Sequence, residues 1–311
     1  SCPNPYRSHA EALPKPVHEK TQKTDYPLQG VWLVHIIPYT PGGKHMIRFT
    51  KAPLPPAGGR PPASIEARTP QQVQYAAERI LRSGLSIEAW QTLDQLYVSG
   101  IMTVDQIGLA RRTLRNYAKK GLIVRYTYPP AEVVRALGER FLPAEDGQIY
   151  TLGRLGKEIL ATRYGLRPTQ YYLAYPFERI LPVLVLNEII RRITTEAENR
   201  DWALKRYSFE QAQLHREERV IFSPSALISL EQGEHVRFFA LEYHDEDYGR
   251  SAWRKVQHYE DANETDIWEE KWLGEDFPIV LAVFRHGSVG EGYRAAIDEM
   301  GPMNTGFYGR S

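Results

Sequence analysis

The sequence predicts an α+β fold, with a mostly helical middle followed by a C-terminal region where strands and helices alternate. Three observations carry this expectation. Apolar residues recur at helical spacing between Val73 and Tyr117. Residues 122–128 and 148–152 then alternate in the manner of strands. After a long helical stretch at 181–199, short apolar runs follow at 219–222, 226–230, 236–243 and 279–284, with a helix at 251–259 between the last two.

The chain begins differently. Of its 22 prolines, 13 fall in the first seventy residues. Proline fixes φ and removes a backbone donor, so this stretch resists helix and sheet interiors. Inside it, residues 31–37 and 46–49 are apolar, and Pro41, Gly42 and Gly43 between them are turn formers, so a hairpin flanked by extended arms is expected. The boundaries read from composition are an arm at 1–68, a middle domain at 69–165 and a C-terminal domain at 166–311.

From residue 69 the elements follow in order. Val73, Ala76, Ala77, Ile80 and Leu81 make one helical face, and Ser86 opens a second helix carrying Trp90, Leu93, Leu96 and Tyr97. Gly100 ends it. A short segment at 103–107 and a break at Gly108 precede a helix at 109–120, which Gly121 stops. Two strands follow, separated by Pro129, Pro130 and a short inserted helix at 132–141. Short helix, break, helix and two strands is the order of a winged helix-turn-helix domain.

Helix 109–120 carries the chemistry. With Leu109, Thr113 or Leu114, and Tyr117 facing inward, Arg111, Arg112, Arg115 and Lys119 point outward. Lys120 and Arg125 extend the charge, so residues 101–125 hold six basic side chains against one acid, Asp105. Arg and Lys neutralise phosphates, Arg also reads guanine edges, and the major groove of duplex DNA admits a helix. The expected partner is therefore double-stranded DNA. A solvated basic face on a winged helix used for protein contacts stays open beside it.

The totals bound the rest. A chain of 311 residues with 42% hydrophobic and 25% charged residues suits a folded protein with more than one core. Its formal charge of +1 means that any basic surface is local. Cys2 alone forms neither an internal disulfide nor a thiolate metal site. No apolar run approaches the roughly 20 residues of a membrane span, and the first thirty residues lack a leader pattern, so a cytoplasmic protein without a membrane partner is expected. The histidines show no paired zinc spacing. Gly287 to Gly292 read as a flexible loop, and the acid-rich stretch 260–276 as a solvated face.

Two stretches resemble the replication-relaxation proteins of plasmids and phages. One runs from Ala110 through Leu114 to Gly121, Leu122 and Ile123, followed by Tyr150, Thr151, Leu152, Gly153 and Gly156. The other holds Phe239, Ala240, Leu241, Glu242 and Tyr243, then Trp253, Lys255 and Tyr259, with Pro278 and Leu281. The resemblance covers about residues 69–285. It implies a winged helix joined to an α/β PD-(D/E)XK nuclease-like domain, in which an Asp, a Glu and a Lys surround Mg²⁺. By position, Glu242 corresponds to the strand acid and Lys255 to a catalytic lysine displaced onto the next helix. His244 stands where many such nucleases keep lysine, and Ser225 where the first Asp is expected.

A hydroxyl substitutes poorly for a carboxylate on a hard cation. The domain is therefore expected to be degenerate, with no cofactor required, Mg²⁺ only if it is active as a nuclease, Glu242 as a weak metal ligand and Glu188 as a weaker one. The resemblance implies a role in replication, maintenance or transfer of a mobile element, with replication or transfer proteins as partners, and winged helices often act as homodimers. Two other classes compete: a Mg²⁺-dependent endonuclease or nickase, and a structural or assembly protein.

Overall fold

A glycine-free apolar stripe and a capping threonine start the first helix described. In the computed structural model, described for residues 68–127, 148–165, 167–169, 172, 177–244, 249–272, 276–285, 287–301 and 303–310, helix α1 spans Pro70–Ser83. Thr69 and Gln72 form a reciprocal capping box, and Pro70 sits where its missing N–H costs nothing. The expected hairpin at 31–37 and 46–49, the inserted helix at 132–141 and the acids at 245–247 lie outside the described residues. All described residues belong to one compact unit, 36–311.

Helix α2 (Ile87–Ser99) is capped by Ser86, whose hydroxyl accepts from the Ala89 N–H. Strand β1 (Ile101–Thr103) leads directly into the short helix α3 (Val104–Ile107). Gly108 then adopts the left-handed conformation at φ 75°, and α4 (Arg111–Lys119) begins after Ala110. Strands β2 (Ile123–Thr127) and β3 (Gln148–Leu152) follow, and β3 lies between β1 and β2, antiparallel to both. Helix α5 (Arg154–Tyr164) closes this half. Val73, Ala77, Leu93, Leu96, Leu114, Tyr117, Ile123, Tyr150 and Ile159 make its core.

Helix α6 (Phe177–Glu198) leads into the second half. There β4 (Ala203–Arg206), helix α7 (Phe209–Ala212), the hairpin β5 (Leu214–Arg216) and β6 (Arg219–Phe222), β7 (Ala226–Gln232) and β8 (His235–His244) come in turn. Helices α8 (Gly249–Asn263) and α9 (Ile267–Trp272) precede β9 (Ile279–Phe284), α10 (Gly287–Met300) and β10 (Phe307–Arg310). The main sheet has the order β10-β9-β8-β7-β4. β4, β7 and β8 are antiparallel neighbours, whereas β9 runs parallel to β8 and β10 parallel to β9. Among the described residues the molecule is thus a mixed α+β structure with two antiparallel sheets, one of them the β5–β6 hairpin, and one mixed sheet.

Strand alternation sorts the side chains of this sheet onto two faces. Ile228 and Leu241 turn toward α6, while Leu227, Ala240 and Val280 turn toward α8 and α9. Helix α6 packs on both sheets at once: its Ile180, Leu184 and Ile189 share a core with Ile101, Tyr126 and Ile149 of the first and with Ile228 and Leu241 of the second. The Asn187 amide donates to the carbonyls of Ser99 and Ile101, and Gln106, already the capping residue of α3, donates to the Leu184 carbonyl at 3.0 Å.

Two readings are corrected. Gly287 to Gly292 do not form a loop but the first turns of α10. Val289, Tyr293 and Ala296 give that helix its buried stripe, and a Cβ at Gly290 would stand 3.0 Å from the Phe284 ring, so glycine there permits close helix–strand approach. The acid-rich stretch 260–276 is only partly a solvated face. Trp268 and Trp272 are buried beneath it, and Glu260 accepts the N–H groups of Asn304 and Thr305.

Gly156, in the first turn of α5, gives a test of the packing. A Cβ there would fall on the Leu122 carbonyl oxygen and within 3.0 Å of the Leu93 side chain. Gly156→Ala is expected to destabilise the protein by about 1–3 kcal/mol, the range for overpacking a tight interior. Denaturant unfolding reads this directly, and an unchanged midpoint would mean the backbones are not forced together.

Candidate nucleic-acid interface and the Glu242 cluster

Helix α4 is amphipathic in the strict sense. Leu114 is fully buried and Tyr117 nearly so, whereas Arg111, Arg112, Arg115, Lys119 and Lys120 are exposed and Leu109 and Thr113 are intermediate. The helix thus turns its oily side into the α2–β3 core and its cations outward. Arg125 enters from β2 as a half-buried neighbour. Burial pushes the Tyr150 phenol up, while Arg125, Arg115 and Arg111 pull it down, so these three cations converge on one spot of the surface. The Tyr150 hydroxyl donates to Gln148 Oε1 at 2.7 Å, which fixes the floor of that spot.

The start of α4 is unusual for a surface helix. Ala110 supplies no side-chain cap, no acid lies in the first turn, and Arg111 and Arg112 occupy it. A helix N-terminus carries about half a positive charge. Two arginines there repel it, so this end of the helix favours an anion from outside the chain.

The second constellation is buried. Glu242 on β8 is 1% exposed. Its Oε1 accepts from the Lys255 ammonium at 2.9 Å, the Tyr259 hydroxyl at 2.5 Å and the Ser225 N–H at 3.3 Å. The Ser225 hydroxyl donates to Oε2. Ser225 stands just ahead of β7, and Lys255 and Tyr259 come from successive turns of α8, so donors from two places converge on the β8 carboxylate. Next to it, the Tyr293 hydroxyl lies 2.6 Å from His244 Nε2.

Burial alone would raise the Glu242 carboxyl. The Lys255 charge, then the hydroxyls of Ser225 and Tyr259, outweigh it and hold the group below its ordinary value. The same carboxylate, together with burial, pushes the Tyr259 phenol well above its usual range. Burial and, after it, Glu242 raise the Tyr293 phenol too.

The structure therefore brings together Ser225, Glu242 and Lys255, the residues the sequence aligned by position, and sets His244 beside them. It does not bring Glu188 to them. That carboxylate is taken by Arg191 at 2.7 Å and Arg192 at 3.1 Å on its own helix. The described residues do not fit a Mg²⁺ centre. A hard dication requires several oxygen ligands, no group of three His, Cys, Asp or Glu residues stands together among the described residues, and both oxygens of Glu242 already accept from the chain's own donors. Sequence reasoning misses the pairing of Tyr293 with His244, because the glycines at the start of α10 read as a loop. It also misses Arg206, whose short strand β4 gives little alternation to read.

No protein-family model matches the chain, and neither a curated protein nor a solved structure matches it. Among the described residues no helix is long and apolar enough to cross a membrane.

The sign of the pH dependence follows from the depressed Glu242 carboxyl. Its stabilisation is fully present above the unfolded value near ~4.3 and is lost as pH falls through the lower folded value. Glu242→Gln leaves Lys255 without its counter-charge. The cost at neutral pH is expected at the lower end of about 3–5 kcal/mol, because Lys255 still reaches water. The deficit relative to wild type should shrink as the buffer is taken from about pH 5 to pH 3. Equal deficits across that range, measured by urea unfolding, would show that the charge of Glu242 contributes nothing.

Proposed function

We propose that this chain is a double-stranded DNA-binding protein that lays α4 in the major groove. The observation that carries the reading is the amphipathicity of α4: Leu114 and Tyr117 locked inside, Arg111, Arg112, Arg115 and Lys119 outside, with Arg125 beside them. The order α2, β1, α3, α4, β2, β3, with β3 between its partners, supports a winged helix-turn-helix reading of this half. In that reading the uncapped first turn of α4 meets a phosphate, and the arginines that are unfavourable there in the free protein pair with the DNA backbone in the complex.

For the second half, a PD-(D/E)XK nuclease-like shell is supported by element order. One helix, three antiparallel strands, a helix and a parallel strand come in the order α6, β4, β7, β8, α8 and β9, with α7 and the β5–β6 hairpin inserted after β4 and α9 after α8. Glu242 lies on the third of those strands, and Ser225 stands just ahead of the second. The shell is read as degenerate: its central carboxylate is neutralised internally by Lys255 and by two hydroxyls. A role in replication, maintenance or transfer of a mobile element, within the replication-relaxation family and with a two-fold dimer on DNA, extends the resemblance of residues 110–123 and 239–259. It rests on that resemblance, which also takes in residues 150–156, Pro278 and Leu281.

Gel-shift titration on duplex DNA is expected to show binding that weakens steeply with salt. The double substitution Arg111→Ala with Arg112→Ala should lower the slope of log K against log salt by about 1 for each phosphate that is no longer neutralised. Wild-type binding retained by that variant would remove the assignment. In parallel, supercoiled plasmid incubated with Mg²⁺ or Mn²⁺ is expected to stay intact. Nicking that disappears in both Glu242→Ala and Lys255→Ala would replace the degenerate reading with an active nuclease.

A further inference from the structure

Arg206 is a half-buried cation that no acid pairs among the described residues. On β4 the positions of Leu204 and Arg206 turn inward and those of Ala203 and Lys205 outward. One guanidinium nitrogen donates to Ser99 Oγ at 3.0 Å, while Nε is buried with no hydrogen-bond partner. Burial pushes its pKa down to about 10, and the group that opposes this electrostatically is the Tyr172 phenol, not a carboxylate. Arg206 therefore remains charged at neutral pH. A charge kept from water ordinarily has an anion against it. Glu210, the nearest candidate along the chain, turns its carboxylate to the N–H and hydroxyl of Thr169.

The side chain lines a cavity of about 510 Å³ where the two halves meet. Ser99 and Gly100 form one wall, α6 another, and the segment from β4 into α7 a third. That volume lies within the roughly 300–1,000 Å³ of small-molecule sites. Val183, Leu186 and Phe209 make part of the lining apolar, Lys157 from α5 brings a second cation, and Glu210, which acts electrostatically on Lys157, is the acid of the lining, so Arg206 is the cation left over. Burial lowers the Lys157 ammonium, so it too stands in a poorly hydrated place.

We propose that this cavity binds a small organic anion, a carboxylate- or phosphate-bearing molecule whose charged group is held by Arg206 and whose apolar body lies against Val183, Leu186 and Phe209. The site is separate from the DNA-facing surface of α4 and stands whether or not the chain binds DNA.

Isothermal titration of the full chain tests it, with phenyl phosphate and benzoate as probes and with benzyl alcohol and inorganic phosphate as controls. At least one of the two organic anions is expected to saturate, at least tenfold more tightly than either control, and the comparison between the two shows which anionic group the site takes. Arg206→Gln should weaken that probe at least tenfold, and Arg206→Lys less. Should Arg206→Gln fail to fold, Val183→Trp keeps the cation, fills the cavity and is expected to abolish binding with the circular dichroism unchanged. The proposal is overturned if neither organic anion saturates the wild type, if benzyl alcohol or inorganic phosphate binds as tightly, or if a folded Arg206→Gln or Val183→Trp variant binds the probe as the wild type does.

Discussion

The burial of α6 from two sides is the constraint on which the rest of the structure depends. From Ile180 to Ile190 the helix has almost no solvent face, because one side lies on β1, β2 and β3 and the other on β7 and β8. A helix that is apolar all round must be enclosed, and neither sheet alone would enclose it. Of the two polar side chains in that stretch, Glu188 is paired by Arg191 and Arg192, and Asn187 fixes register: its amide meets the carbonyls at the end of α2 and in β1. Composition places a boundary near residue 166, yet the hydrophobic core runs across that position without a break.

Charge is arranged in opposite ways in the two halves. On α4 the cations face outward and converge over Tyr150, so their field is available to a partner. Around Glu242 the charge is folded inward and cancelled. A carboxylate at 1% exposure is tolerated because an ammonium and two hydroxyls bond to it, and truncating any of these leaves the others buried and poorly paired. A site of this kind ties β7, β8 and α8 together, with both carboxylate oxygens accepting from the chain's own donors. The substitution of a hydroxyl for the expected acid at Ser225 is what makes the internal pairing complete: Ser225 donates where an aspartate would repel.

Legibility in the sequence depends on whether a residue's role is local. Helix α4, strand β3 and the strand at 279–284 can be read to within a residue or two: the burial of α4 and of 279–284 follows a period of 3.6 or 2, and β3, buried almost throughout, is bracketed by Gly147 and Gly153. Glu242 and Lys255 are singled out together by the resemblance, which carries them over by position on a strand and the next helix. Strand β1 is not, since three buried residues in a row have no alternation to show. Helix α10 is hidden by its glycines, whose purpose is a neighbour, Phe284, that only the tertiary structure supplies. Arg206 is hidden for the same reason: nothing in a short charged strand says that its cation will be enclosed by a helix from the other half. Glu188 misleads because two arginines on its own helix turn claim it first.

The double burial of α6 has an evolutionary reading. A module that folds alone can be exchanged between genes by recombination at its boundary, since each side keeps its own core. Here an exchange at residue 166 would pair α6 with a foreign sheet, leaving Leu184 and Ile189 without their hosts and the carbonyls met by Asn187 without their donor. An exchange at that point would therefore cost both halves part of a shared core.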